Sequence, residues 1–192
     1  MKKVYITNDS PLGIICRNIA DLPKGWQFTD DPEDCDVYIS VFSKKIITED
    51  FIKGRRCYNF HLGLLPKYGG VGICAWVIIN GEKETGITLH EIDQGIDTGD
   101  VIAVQTTKIE DTDTGETLFN RCQDIVELMF EKWFERLLTK KYTAKKQTEK
   151  RFLYTRKMLE EVKDITRFYR AFDFEGKEQA YYKKGKIKTY LK

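Results

Sequence analysis

Long apolar runs are missing from this sequence of 192 residues. Every apolar run is far shorter than the about 20 residues that a membrane-spanning helix requires. The first residues superficially resemble a secretory leader, but Asn8 and Asp9 end their apolar stretch early, so we interpret them as a first strand. We therefore expect a cytoplasmic protein that does not insert into a membrane.

Cysteines at the spacing of a metal knuckle or a redox pair are also missing. The cysteines are odd in number and far apart, which favours reduced thiols buried in a core. Cys57 is an alternative nucleophile, although no cationic side chain that would activate it lies beside it on its face of the chain. The five cysteines are Cys16, Cys35, Cys57, Cys74 and Cys122.

Motifs for metals, dinucleotides and serine hydrolases are absent as well. The acidic residues between positions 93 and 113 lack the spacing of a calcium loop, and no His or Cys accompanies them at zinc spacing. The turn after the first strand, residues 7–13, contains a single glycine, and no Gly-x-Ser-x-Gly elbow occurs. We therefore predict a site without a metal ion.

The charge of the chain is nearly balanced in total but uneven along its length. The net charge is +2, yet residues 139–192 hold 17 Lys and Arg against 7 Asp and Glu, so the first 138 residues are acidic. A basic segment that contains many Tyr and Phe could bind nucleic acid or a nucleotide. The alternative, which we favour over nucleic-acid binding, is a solvated charged face.

Short apolar segments alternate with helical patterns along the chain, which is typical of an α/β fold with a mostly parallel sheet. Continuous apolar segments predict strands, and apolar residues at helical spacing predict helices. The predicted strands are 3–7, 37–42, 57–60, 85–92 and 101–109. The predicted helices are 12–20, 71–79 and a long helix that begins near a capping box at Asp113 and Glu116 and reaches Leu137.

Beyond residue 138 the composition becomes lysine-rich and polar. We predict a catalytic domain over 1–138 and a small C-terminal subdomain, with a helix and a β-hairpin, over 139–192. The hairpin could pair between subunits, which makes a homodimer an option. The predicted elements of the subdomain are a linker near 139–150, a helix around 156–171, and a hairpin of residues 180–182 and 187–191 about a turn at Lys184 and Gly185.

Asn59, His61 and Asp97 carry the strongest chemical signal in the chain. Asn59 and His61 are two residues apart in a predicted strand, so both side chains point to one face. Asn is depleted in strands, and its presence there favours a functional role. Asp97 lies in a glycine-flanked turn that could return to orient the imidazole. An amide donor, a titratable base and an orienting acid are the parts of an acyl-transfer site.

His90 and Trp76 each have two interpretations. His90 alternates with apolar residues in a predicted strand, so we assign it a structural or supporting role. Trp76 lies in a helix that is apolar all round, so it is either part of the core or a stacking surface beside the site.

Several motifs in order resemble the 10-formyltetrahydrofolate-dependent formyltransferases, a family that includes glycinamide ribonucleotide, methionyl-tRNA and sugar N-formyltransferases. The resemblance covers roughly residues 36–140 and implies a Rossmann-like formyltransferase fold. The C-terminal segment and the stretch 75–82 are most similar to the sugar enzymes. The motifs are Asn59-Phe60-His61-Leu62-Gly63-Leu64-Leu65-Pro66-Lys67-Tyr68, Asn80-Gly81-Glu82, Thr85-Gly86-Ile87-Thr88-Leu89-His90, and Ile92-Asp93-Gln94-Gly95-Ile96-Asp97-Thr98-Gly99-Asp100-Val101-Ile102.

The resemblance implies a role for each group of site residues. The catalytic triad of the family falls on Asn59, His61 and Asp97. The formyl donor, 10-formyltetrahydrofolate, is expected between two loops, and an amino sugar beside them. The implied folate residues are Phe42, Ser43, Lys44, Lys45, Ile46, Asp93, Gln94, Gly95 and Ile96, and the implied substrate residues are Lys67, Tyr68 and Trp76.

The sequence departs from the family pattern in three places. Leu62 replaces a Pro after the catalytic His, Gly69-Gly70 replaces an Arg-Gly pair, and the segment before Asn59 is shorter than usual. Because the segment before Asn59 is short, fewer sheet elements remain on the side that would hold a nucleotide. We expect formyl transfer to a primary amine of a sugar, one linked to a nucleotide. One alternative is formylation of methionyl-tRNA or of another amine. The other is a non-catalytic folate- or nucleotide-binding module.

Overall fold

A computed structural model describes residues 1–175, 181–184 and 187–190 of the chain. Its centre is a six-stranded sheet with the order β2-β1-β3-β4-β6-β7. The strands are β1 Lys2–Ile6, β2 Trp26–Phe28, β3 Val37–Val41, β4 Arg56–Leu62, β5 Gly69–Gly70, β6 Glu84–Glu91, β7 Val101–Lys108, β8 Leu153–Tyr154, β9 Tyr181–Lys184 and β10 Ile187–Tyr190. The α-helices are α1 Pro11–Ile19, α2 Glu49–Ile52, α3 Ile73–Ile79, α4 Gly115–Thr139 and α5 Ile165–Ala171, and 3-10 turns cover Pro32–Asp34 and Arg156–Glu161.

The sheet is mostly parallel, as predicted. Strands β2, β1, β3 and β4 run parallel, while β6 pairs antiparallel with β4 and β7 pairs antiparallel with β6. The antiparallel pairing places His90 directly opposite Asn59. The predicted strands are therefore present, with β2 and the two-residue strands β5 and β8 in addition.

The two faces of the sheet are covered differently. Tyr58 and Phe60 of β4 lie in the main core, which α1 and α4 complete. Cys57 belongs to a smaller cluster on the opposite face, together with Tyr5 and Tyr38. Because side chains alternate along a strand, Asn59 and His61 share the face of Cys57. Ile47 and Ile92 from two loops, and Phe51 and Ile52 from α2, pack on the cluster of that face.

The long helix α4 begins one residue later than the capping pattern predicted. Thr114 is its N-cap, and the side chains of Thr114 and Thr117 each accept from the backbone N–H of the other. The predicted pair of Asp113 and Glu116 is therefore wrong as a capping box. Asp113 instead lies buried before the helix and accepts 2.9 and 2.7 Å hydrogen bonds from Arg121.

The segment after α4 returns to the sheet. Lys145 exchanges two backbone hydrogen bonds with Val101, both 2.8 Å long, and β8 pairs in parallel with β5. The predicted helix of residues 156–171 is split into a 3-10 turn and α5, and α5 packs against α3. The predicted hairpin is present as β9 and β10, while Ala180, Gly185 and Leu191 lie outside the described residues. The division into two domains stays a prediction.

Candidate active site

His61 lies near the end of β4 with both ring nitrogens facing oxygen acceptors. Its Nε2 atom is 2.7 Å from the backbone carbonyl oxygen of Tyr68, and its Nδ1 atom is 3.5 Å from Oδ1 of Asp97. The ring is buried. A carbonyl oxygen can only accept, so Nε2–H of His61 donates to Tyr68, and Nδ1 faces the Asp97 carboxylate. His61 is thus built into the site as a hydrogen-bond donor.

Asp97 comes from the loop between β6 and β7 and meets His61 from the side. Its carboxylate is 11% exposed and accepts a 2.8 Å hydrogen bond from the backbone N–H of Gly70. Its backbone has a φ of 53°, in the left-handed region that a residue with a Cβ atom rarely adopts. The carboxylate is therefore held by contacts from a second loop, residues 63–70.

His90 belongs to the same cluster. It is 2% exposed, and its Nδ1 atom is 2.6 Å from the carbonyl oxygen of Glu91, so Nδ1–H donates there. Its Nε2 atom then accepts a 3.2 Å hydrogen bond from the Asn59 amide, and it also lies 3.7 Å from Oδ1 of Asp97. Burial, and then the charge of His61, lowers the pKa of His90 to about 4. His90 is neutral near pH 7 and fixes the orientation of the Asn59 amide.

The three residues of the predicted triad thus converge on one face of the sheet. The convergence is a geometric finding, and the catalytic roles of Asn59, His61 and Asp97 stay predictions. His90 and Gly70 complete the cluster. From the sequence we assigned His90 a structural or supporting role and considered Gly70 only as a departure from a family pattern. The pairing of β4 with β6 would have been the signal for His90.

Lys67 and Tyr68, two of the predicted substrate residues, make contacts within the protein. Lys67 Nζ and the Tyr68 hydroxyl each donate a 2.8 Å hydrogen bond to Glu82, and both contacts lower the pKa of Glu82 against the effect of burial. The Tyr68 ring is buried and stacks on Tyr154 at a centroid distance of 5.0 Å. Substrate binding by Lys67 and Tyr68 stays a prediction, and the backbone of Tyr68 already has a second role as the partner of His61.

Trp76 also packs on Tyr154, with ring centroids 5.0 Å apart. Its side chain is mostly buried, yet one part lines an open recess of about 370 Å³ that Asn80, Tyr154 and Lys163 also border. Both interpretations of Trp76 therefore keep support, since it belongs to the core around α3 and also borders a recess.

The two predicted folate loops come together at one small cluster on the site's face, although the first loop begins at Phe42, which packs against the main core. Ile47 and Ile92, at the base of the loops, pack on the same small cluster. Beyond them the loops expose large apolar side chains, since Ile46 is 80% and Ile96 is 47% exposed. Phe42 at the start of the first loop has a φ of 52°. Folate binding by these loops stays a prediction.

The other residues of these two loops are polar or small and mostly exposed. Ser43 donates a 2.8 Å hydrogen bond to Asp9, while Lys44 and Lys45 are exposed. In the second loop Asp93 accepts from the backbone N–H of Gly95 and from the Thr98 hydroxyl, and Gln94 is exposed. Among the described residues, no group of three or more His, Cys, Asp or Glu side chains could hold a metal ion, and no helix is long and apolar enough to cross a membrane.

Comparison with known proteins identifies the family. The profile of a family described as formyl transferase matches residues 28–132, which include the whole cluster of Asn59, His61, His90 and Asp97. The chain belongs to the formyl transferase family. The prediction made from the motifs is therefore confirmed at this level.

Curated relatives of the family match over part of their length. GDP-perosamine N-formyltransferase of Brucella melitensis is 41% identical over 90 residues, which are 46% of this chain and 35% of that protein. Methionyl-tRNA formyltransferases also match. The matched stretches span between 14% and 40% of the first curated relatives.

Solved structures extend the likeness to the whole formyltransferase fold. A sugar N-formyltransferase from a Shewanella species is 19% identical, with a TM-score of 0.83, and the match covers 100% of this chain and 96% of that one. An N-formyltransferase from Helicobacter canadensis, in complex with folinic acid and dTDP-3-aminofucose, is 30% identical with a TM-score of 0.60 over 65% of this chain and 46% of that one. The likeness confirms the predicted α/β formyltransferase fold.

Proposed function

We propose that this protein transfers a formyl group from 10-formyltetrahydrofolate to a primary amine of a nucleotide-linked amino sugar. The observation that carries the proposal is the convergence of the Asn59 amide, the His61 imidazole and the Asp97 carboxylate on one face of the sheet. These groups supply a donor for a developing oxyanion, a proton carrier and an orienting acid, which acyl transfer to an amine requires.

In the proposed reaction the amine nitrogen attacks the formyl carbon. A tetrahedral oxyanion forms, the bond from carbon to N10 of the folate breaks, and the products are a formamide and tetrahydrofolate. The amine loses one proton and N10 gains one, so the protons balance. The Asn59 amide donates to the oxyanion, an interaction whose loss costs roughly 3–4 kcal/mol of transition-state stabilisation in comparable sites.

His61 was open to two roles, proton acceptor or oxyanion donor, and its surroundings favour the donor. Both of its nitrogens face acceptors, and the Nε2–H that now donates to the Tyr68 carbonyl is the proton that His61 can offer to the oxyanion. Asp97 orients the His61 ring and can relay a proton towards N10.

The residues of the predicted folate loops suit the formyl donor. Ile46 and Ile96 expose apolar surface on two neighbouring loops, and a flat pterin ring is well matched by an apolar cleft with backbone polar groups at its edge. Lys44 and Lys45 are exposed on the first of these loops and can attract the glutamyl carboxylates, although a solvated pair is the alternative.

A nucleotide-linked sugar as acceptor is supported by the relatives. The Brucella relative is named for GDP-perosamine, and the Helicobacter structure holds dTDP-3-aminofucose together with folinic acid. In this chain the open recess at Trp76 offers an aromatic edge and the cation of Lys163, beside the carboxylate of Asp164, features that suit a nucleotide. Tyr154, which also borders the recess, stacks on Tyr68 of the loop 63–70.

The test is release of tetrahydrofolate during incubation with 10-formyltetrahydrofolate and a panel of amino sugars, free and nucleotide-linked. We expect turnover with a nucleotide-linked sugar and its loss in His61→Asn and Asp97→Asn, with folate binding kept in both. Asp111→Asn is the matched control, because the Asp111 side chain is 92% exposed.

Three outcomes would contradict the proposal. Folate binding without turnover on any amine would favour a non-catalytic module. Turnover on charged initiator tRNA alone, with binding that weakens steeply as salt rises, would favour the tRNA alternative. Full activity of His61→Asn or Asp97→Asn would remove the proposed mechanism.

A further inference from the structure

The segment of residues 145–154, which we call the strap, connects the two loops that carry the site. At its start Lys145 exchanges two backbone hydrogen bonds with Val101, and at its end β8 pairs with Gly69–Gly70. Phe152 between them donates to the Pro66 carbonyl and accepts from the Gly69 amide. The sequence predicted a linker over most of this segment, because it is polar and carries no apolar periodicity.

Gln147 is the side chain of the strap that reaches the loop of Asp97. Its single Nε2 group donates to the carbonyl oxygen of Asp97 at 3.0 Å and to that of Gly99 at 2.7 Å. Arg151 donates to the carbonyl oxygen of Ile96 in the same loop. The strap therefore holds three of the four carbonyls from Ile96 to Gly99.

The backbone of Asp97 requires such a hold. Its φ of 53° is unfavourable for a residue with a Cβ atom, so the conformation persists only where neighbouring groups determine it. In this conformation the carboxylate faces His61 at 3.5 Å and accepts from the Gly70 amide at 2.8 Å. A small change in the backbone at Asp97 would move both contacts.

The other half of the Gln147 amide, its oxygen, contrasts with the nitrogen. Its Oε1 atom is buried and, among the described residues, accepts no hydrogen bond. A buried amide oxygen without a donor lowers stability. A side chain selected for stability alone would avoid this cost, so the two donated hydrogen bonds are the feature of Gln147 that offsets it.

We propose that Gln147 is a positioning residue that holds Asp97 in its left-handed conformation and so orients the carboxylate towards His61. The role rests on the proposed formyl transfer, in which Asp97 orients and stabilises the His61 ring. Two hydrogens on one nitrogen, directed at two carbonyls of the same turn, explain why a Gln performs this role and a Glu would not.

The kinetic test compares the wild-type protein with Gln147→Met, which keeps the length of the side chain and removes both donors. Gln105→Met is the matched control, because Gln105 lies exposed on the edge strand β7. We expect Gln147→Met to lower kcat about 10–100-fold, as a misplaced catalytic group does. We expect KM for the folate and for the amine to stay within twofold. The midpoint of thermal unfolding should fall only modestly, because the loss of two hydrogen bonds is offset in part by the removal of the unpaired amide oxygen.

A double-mutant cycle separates positioning from a general structural role. If Gln147 acts through Asp97, Gln147→Met should have little further effect on the residual kcat of Asp97→Asn. Equal losses of kcat in both backgrounds would overturn the proposal. A kcat of Gln147→Met within twofold of wild type, or a rise in KM with kcat unchanged, would do the same.

A second measurement does not depend on turnover. The Gly70 amide donates to Asp97, so its proton reports on the carboxylate by NMR hydrogen exchange and chemical shift. We expect faster exchange and an upfield shift of this proton in Gln147→Met but not in Gln105→Met. An unchanged Gly70 amide would overturn the positioning role. Failure of the wild-type protein to release tetrahydrofolate would overturn the proposed function and leave this result to decide the role of Gln147.

Discussion

His90 is an imidazole that the fold keeps neutral inside a cluster of titratable groups. Burial is the first cause of its lowered pKa, and the charge of His61 adds to it, while Asp97 acts in the opposite direction. Neutrality leaves Nε2 free to accept from the Asn59 amide. The hydrogen that Asn59 offers to a substrate is therefore directed by a residue that does not itself need to touch the substrate.

The lowered pKa of His90 predicts how stability depends on pH. Below pH 6.5 the unfolded chain takes up a proton at this residue, whereas the folded protein does not until about pH 4. As the pH decreases from 6.5 to about 4, the free energy of unfolding should therefore fall by about 1.4 kcal/mol for each pH unit. Above pH 6.5 this group should not affect it.

Urea unfolding at pH 7.5, 5.5 and 4.5 measures this effect in the wild type and in His90→Gln. The variant keeps an amide that can donate to Glu91 and accept from Asn59 but cannot titrate. Subtracting the free energy of unfolding of one protein from that of the other at each pH removes the contributions of the titratable groups that both proteins share. Parallel curves for the two proteins between pH 6.5 and 4.5 would show that His90 is not held neutral by the fold.

The site residues could be predicted from the sequence to different degrees. Asn59 and His61 were predictable because a strand places alternate residues on one face, and Asp97 because a glycine-flanked turn can return to the sheet. A supporting role was predictable for His90, but its contact with Asn59 was not, because its place opposite Asn59 depends on the antiparallel pairing of β4 and β6. Gln147 was not, because its hydrogen bonds are to backbone carbonyls that carry no sequence signal.

Among the structural elements, the two shortest strands, β5 and β8, connect the loop that contacts His61 and Asp97 to the C-terminal segment. The strands β5 and β8 have two residues each, and β5 consists of Gly69 and Gly70. Long strands were predictable from their apolar side chains, whereas the pairing of these two strands consists of backbone hydrogen bonds, which carry no sequence signal. Glycine is required there, since a Cβ atom on Gly70 would lie 2.2 Å from the carbonyl oxygen of Tyr154.

Gly70→Ala should therefore lower both stability and activity. The φ of Gly70 is 96°, and the added methyl group would push β8 away, at a combined cost of about 2–4 kcal/mol. We also expect kcat to fall at least about tenfold, because the amide that donates to Asp97 moves with the backbone.

Gly54→Ala is the control for backbone strain. Gly54 has a φ of 79°, and a Cβ atom there would meet nothing within 4 Å. Urea unfolding and tetrahydrofolate release should show a smaller loss of stability and an unchanged kcat in this variant. If Gly70→Ala behaved like Gly54→Ala in both assays, the contact between β5 and β8 would not support the site.

For the molecule as a whole, the open question is how the C-terminal segment relates to the catalytic part. The sequence predicted a boundary at residue 138 from a change in composition, and that division stays a prediction. In the structure α5 packs against α3, and Ala171 is fully buried in the core around α3. Pairing of β9 and β10 between subunits also stays a prediction, which sedimentation velocity can test.

The sign of the change in the free energy of unfolding of Gly115→Ala tests whether α5 docks on the first turn of α4. In a free helix end, Ala in place of Gly would stabilise the protein by about 0.5–1 kcal/mol. Here the added Cβ atom would lie 2.1 Å from the carbonyl oxygen of Ala171. We therefore expect a loss of about 1–3 kcal/mol in urea unfolding and faster proteolysis of residues 155–175, because the clash must displace α5. A gain in stability would mean that the C-terminal segment does not rest on the catalytic part, and that the two are separate domains as the composition alone indicates.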